Sequence, residues 1–180
     1  MNILRAILGT VFLTLCTSSA GLAKEWRGII PLHSTRADVE RLLGRASQEA
    51  VVDYDLPGEK VSIHYQDFAC DHTPPKGWPA PPPGWNVPKD TVVGVRVALK
   101  KPVPLASLEV NLDSFKKEQG DSDVPQFISY NNEEDGFSIE VFSSLDGKKQ
   151  DVMAFIYLPP AKDEHLRCPH SETPSSRPSL

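Results

Sequence analysis

The sequence predicts an α+β protein in which two degenerate helix–strand–strand–strand units form one antiparallel sheet with helices packed on one face. Three observations predict it. Short runs of apolar–polar alternation recur along the chain. A capped, amphipathic segment stands ahead of each set of such runs. The order of elements in the first half, about 26–101, also returns in the second, about 102–168: Pro31-Leu32-His33-Ser34 is echoed by Pro104-Leu105-Ala106-Ser107, and Tyr54…Gly58…Val61-Ser62-Ile63 by Tyr130…Gly136-Phe137-Ser138-Ile139.

Residues 1–23 read as a signal peptide. Arg5 precedes an apolar run over 6–16, and small residues follow up to Ala23. The run is shorter than the roughly 20 apolar residues a spanning helix needs, and no second apolar stretch follows, so no membrane span is expected. Leu15 stands where lipoprotein processing before Cys16 would want a small residue. Residues 24–170 then form the single domain, and the Ser/Pro-rich tail 171–180 is expected to be disordered. The whole chain carries a net charge of −5, and losing Arg5 makes it −6. An acidic chain without clustered Lys and Arg lacks a nucleic-acid footprint.

The elements follow in order. Ser34 or Thr35 is the N-cap of a helix, with Asp38 in a capping-box position after Thr35. Val39, Leu42 and Leu43 form its apolar face and Gly44 stops it. Alternation over 49–55 and 60–66, separated by Leu56-Pro57-Gly58-Glu59, predicts a hairpin. Residues 73–88 hold so many prolines that neither helix nor central strand is open to them, and a polyproline-II excursion carrying Trp78 and Trp85 is expected. The two indoles are read either as anchors for a partner, since Trp is enriched at binding hot spots, or as a lid folded over a sheet edge. Residues 91–99 are the strongest strand, with Val93, Val95, Val97 and Leu99 on one face, ended by Lys100-Lys101-Pro102. A second helix is expected over 107–119, with Leu108, Leu112 and Phe115 on one face. Strands at 127–130, 137–143 and 151–158 complete the second unit.

With Cys16 in the leader, Cys70 and Cys168 remain, and an exported compartment favours their pairing as a disulfide. The competing arrangement joins them with His72 and His170 as a Cys₂His₂ zinc site. Its Cys-x-His spacing is tighter than known structural zinc sites use. No phosphate loop, nucleophile elbow or His-Glu-x-x-His helix is present. His64 lies on the polar side of its strand, where a surface histidine needs no catalytic role. Glu133-Glu134-Asp135 lacks the ligand order of a calcium loop and reads as a hairpin turn. No catalytic residue, metal or cofactor is therefore assigned, and the chain is expected not to be an enzyme.

The segment Pro31-Leu32-x-Ser34-Thr35-Arg36-x-Asp38-Val39-x-x-Leu42-Leu43-Gly44 resembles the helix-opening signature of small exported bacterial domains. Among these are the small lipoprotein of the β-barrel assembly machinery and the β-lactamase-inhibitory-protein type of tandem helix-plus-sheet domain. The resemblance implies a periplasmic or extracellular protein that binds or scaffolds another protein through a sheet surface. It carries over no functional residue, and the Pro/Trp excursion has no counterpart in it. The expected function is thus partner binding in the cell envelope, with Trp78 and Trp85 as candidate contacts. The alternative is an envelope hydrolase or small-ligand binder whose site is assembled by folding.

Overall fold

The structure, a computed structural model, describes residues 24–68, 70, 84–119 and 126–169. It is mostly sheet: seven antiparallel strands in the order β1-β2-β3-β7-β6-β5-β4. These are β1 Val51–Leu56, β2 Glu59–Tyr65, β3 Val92–Pro104, β4 Lys116–Gln119, β5 Phe127–Asn132, β6 Phe137–Ser143 and β7 Gln150–Tyr157. The α-helix α1, Arg36–Leu43, precedes them.

The cap of α1 forms as its residues require. The Thr35 hydroxyl accepts from the Asp38 backbone N–H, the Asp38 carboxylate accepts from that of Thr35, and Gly44 ends the helix at φ 90°. The inward face differs from the expected one. Val39 is fully buried and Leu43 partly so, but Leu42 is 48% exposed and Arg36 is buried in its place. Positions 36, 39 and 43 are the helical stripe, and the arginine is accommodated because each of its groups finds a partner. Its Nε donates to Asp90 at 2.7 Å, its two terminal nitrogens donate to the carbonyls of Ser47 and Glu49, and its plane lies 3.9 Å from the Tyr65 ring centroid.

The first hairpin has the expected alternation. Val52 and Tyr54 of β1 and Val61, Ile63 and Tyr65 of β2 point inward, with Pro57 and Gly58 (φ 85°) making the turn. Strand β3 corrects two expectations. A bulge opposite His64 and Tyr65 sets Val92, not Val93, on the buried face with Val95 and Val97. Lys100-Lys101-Pro102 does not end the strand, which runs on to Pro104. Pro102 sits in the irregularity between Ala98 and Val103, where a missing donor costs no ladder bond.

The second helix, expected over 107–119, does not form. That stretch contains two single 3-10 turns, Leu105–Ser107 and Leu112–Ser114, and then β4. Asn111 explains the break: its side chain accepts the Asp113 N–H, diverting the backbone from helix. Leu108, Leu112 and Phe115 still pack inward, against a cluster of Ile128, Ile139, Val141 and Val152. A second cluster joins Val39, Trp26 and Ile29 to Val61, Ile63 and Val95, and Phe155 and Tyr157 touch both. The cross-strand register sets these core residues on one face of the sheet.

After β7 the chain turns across the β5–β6 hairpin. Leu158 N–H donates to the Gly136 carbonyl at 2.7 Å and Ala161 N–H to that of Glu133 at 2.8 Å, and a 3-10 segment follows over Ala161–Leu166. Cys70 and Cys168 stand at disulfide distance with Cα–Cα 5.2 Å, and their sulfurs meet. His72, His170 and the tail lie outside the described residues.

Two outcomes follow from this packing. Gly136 has φ 64°, and a Cβ there would lie 2.1 Å from the Leu158 carbonyl oxygen, whereas Gly58 has open space around it. Gly136→Ala should therefore cost about 3 kcal/mol or more, and Gly58→Ala about 1 kcal/mol for its positive φ alone, read by urea unfolding. For the cysteines, the native protein should be lighter by two hydrogens than its reduced form. Reduction should remove up to about 4–5 kcal/mol of stability. Two thiols open to alkylation in the unreduced protein would contradict the pairing.

Candidate functional site

One face of the sheet carries the core and the other is open. Val51, Phe127, Phe142 and Leu158 point to this second face, each 40–45% exposed, with Phe127 and Phe142 edge to face at 5.4 Å. Between them lie charges already matched: Arg96 to Glu140 at 2.6 Å, Lys60 to Asp53 at 2.8 Å and Lys116 to Glu118 at 2.7 Å. Ile156 stands between Arg96 and Ser138 in the register. The surface is thus apolar side chains set among neutralised pairs, a composition suited to protein contact.

At one end this face is walled by the segment after β7. A cleft of about 670 Å³ opens there, with Ser138, Asn131 and Glu118 on the sheet side and Leu158, Glu164 and Arg167 on the wall. The wall is held by its neighbour across the chain. Trp85 and Arg167 form an isolated β-bridge, Asn86 N–H donates to the Leu166 carbonyl, and Cys168 N–H donates to that of Gly84. The Arg167 guanidinium lies 3.9 Å from the Trp85 ring centroid and makes two hydrogen bonds to Glu164. Gln66, itself buried, accepts from Trp85 N–H and donates to the Phe68 carbonyl, so one amide holds both sides of the 69–83 excursion.

Trp85 is only 7% exposed, and its surface is taken up by its own chain. Trp78 and residues 71–83 lie outside the described residues. The other features flagged by sequence fall elsewhere. The Glu133–Gly136 turn is closed by Asn132, which donates to the Asp135 carboxylate and accepts the Asp135 N–H. His64 is on the open face but does not line the cleft, and its ring makes no hydrogen bond among the described residues. Burial of its ring, with Arg96 nearby, holds its pKa below the usual imidazole value against the pull of Asp53. Among the described residues no group of three or more His, Cys, Asp and Glu side chains is placed to hold a metal ion, and no helix is long and apolar enough to cross a membrane. The chain matches no family model, no curated protein and no solved structure.

Sequence reasoning missed Arg36, Gln66 and Arg167. Arg36 had a signal in its i, i+3, i+7 spacing with Val39 and Leu43. The other two depend on contacts distant in sequence and had none. Because Trp85 is packed and not displayed, Trp85→Ala should cost about 3–5 kcal/mol and Trp85→Phe less, measured by denaturant unfolding. An alanine variant as stable as the parent would mean that the indole does not hold the wall.

Proposed function

We propose that this is an exported protein of the cell envelope, periplasmic or extracellular, that binds or scaffolds another protein, and that it is not an enzyme. The observation that carries the reading is the open sheet face, where exposed Val51, Phe127, Phe142 and Leu158 stand among paired charges. The apparent leader 1–23 and the Cys70–Cys168 pair support export. The finer architecture belongs to the same reading. The meanders β1-β2-β3 and β5-β6-β7 meet through β3 and β7 in an antiparallel pair, the arrangement that two related units joined about a pseudo-two-fold would give. Helix α1 and residues 105–115 are then the covering layer of each unit. Of the two indoles named from sequence, Trp78 remains a candidate contact of the loop, while Trp85 serves by holding the cleft wall.

The face is tested by photo-crosslinking. Benzoylphenylalanine at Phe142 should join a discrete polypeptide in the producing cell, and the same residue at Leu42, exposed on α1, should not. Equal products from both positions, or none from Phe142, would remove the support for this face.

A further inference from the structure

We infer that the open face carries an acid-sensitive switch: the polypeptide partner docks over His64 while its imidazole is neutral and is released when the ring takes up a proton. This names the regulation of the surface proposed above and rests on that reading. The strand register puts the histidine inside the apolar surface. His64 of β2 stands opposite Val51 of β1 on one side and Gly94 of β3 on the other. Gly94 has no side chain, and Leu158 from the segment after β7 takes the room above it. A Cβ on Gly94 would stand 3.4 Å from Leu158 Cδ2 and 3.8 Å from the His64 Cβ. Val51 and Leu158 are both exposed apolar side chains of this face. His64 lies between them, so a partner that covers both also covers the imidazole.

The surroundings suit a neutral ring and not a charged one. The ring makes no hydrogen bond among the described residues, and the charged groups facing it are already matched. Asp53 of β1 accepts from the Ser62 hydroxyl at 2.6 Å and pairs with Lys60 of β2 at 2.8 Å, contacts that keep it ionised. Arg96 of β3 pairs with Glu140 of β6 and adds positive charge on the side of the ring. The segment after β7 brings only the uncharged Leu158. Beyond the strand ends, Glu49 accepts from the Ser47 hydroxyl and Asp67 pairs with Lys89. In the free protein, water solvates an imidazolium at this exposed position. Beneath a docked partner the same ion would be desolvated with no acceptor to meet it, whereas a neutral ring packs beside Val51 and Leu158 without that cost. Burial lowers the His64 pKa, Asp53 opposes it and Arg96 adds to it, so the ring is neutral at neutral pH. Affinity is therefore full above that pKa and is lost as pH falls through it.

The test reads the benzoylphenylalanine cross-link from Phe142 in permeabilised producing cells, buffered in steps from about pH 7.5 to about 4.5, across the imidazole range. The reporter leaves Val51, His64 and Leu158 in place. The yield of the discrete product should be flat at the upper end and then fall by about tenfold for each pH unit below the pKa of the ring. His64 is exposed and its ring has no hydrogen bond to lose among the described residues, so its variants should fold. His64→Gln, which stays neutral, should keep the high yield throughout, and His64→Arg, charged throughout, should give the low yield at every pH. A parent yield that is level or rises in acid would overturn the switch and leave the open-face reading standing. A His64→Gln profile as steep as the parent's would do the same, since the loss would then come from other groups or from acid unfolding. Absence of the product at every pH would remove the open-face reading itself, and the switch with it.

Discussion

The Arg36 guanidinium is the constraint on which the first half of the molecule depends. A buried arginine keeps its charge, so it is tolerated only where its donors are matched. Here the four matching groups come from three places: the carbonyls of Ser47 and Glu49 between α1 and β1, the Asp90 carboxylate ahead of β3, and the Tyr65 ring at the end of β2. Main-chain bonds reinforce the junction. Arg36 N–H donates to the Asp90 carbonyl, Leu32 N–H to that of Val92, and Val92 N–H to that of Ser34. The helix is therefore fixed to the sheet by a polar knot, with Val39 and Leu43 adding apolar contact, and an eight-residue helix needs such help.

That knot also determines where the long excursion leaves and rejoins the sheet. Tyr65 and Asp90 flank it, and Gln66 bridges the gap: its backbone N–H donates to the Thr91 carbonyl and its side-chain oxygen accepts from Trp85 N–H. The cysteine pair and the Trp85–Arg167 stack then attach the final segment to the same place. Gly84, Trp85 and Asn86, where the chain rejoins the sheet, hold the wall of the cleft through their bonds to Leu166 and Cys168 and the Arg167 stack.

The strands were legible in the sequence because each has one buried face, and a period of two cannot be shifted without exposing that face. Val52, Tyr54, Val61 and Ile63 point inward as their alternation requires. The capping box was legible because Thr35 and Asp38 are local partners. What could not be read depends on long-range pairing. Leu108, Leu112 and Phe115 have helical spacing and do reach the core, but from 3-10 turns, because Asn111 competes for the backbone. Bulges moved Val93 off the core face and carried β3 through Pro102. Trp85 has the composition of an exposed anchor, and only the distant Arg167 and Gln66 make it an interior residue. The cleft was invisible for the same reason, since Glu118, Ser138 and Arg167 have no pattern that joins them in sequence.

The sheet's edges bear on which surface is available to a partner. Strand β4 at one edge is four residues, Lys116-Lys117-Glu118-Gln119, all exposed, and β1 at the other has Asp53 and Asp55 on its open side. Short, charged edges resist the addition of a further strand. The open face behaves differently, because its charges are cancelled within the sheet by Arg96–Glu140 and Lys60–Asp53 and its apolar side chains are left accessible. Contact through the face costs less desolvation of unpaired charge than contact through an edge. On the protein-binding reading proposed above, the physical asymmetry between edge and face favours docking across the strands.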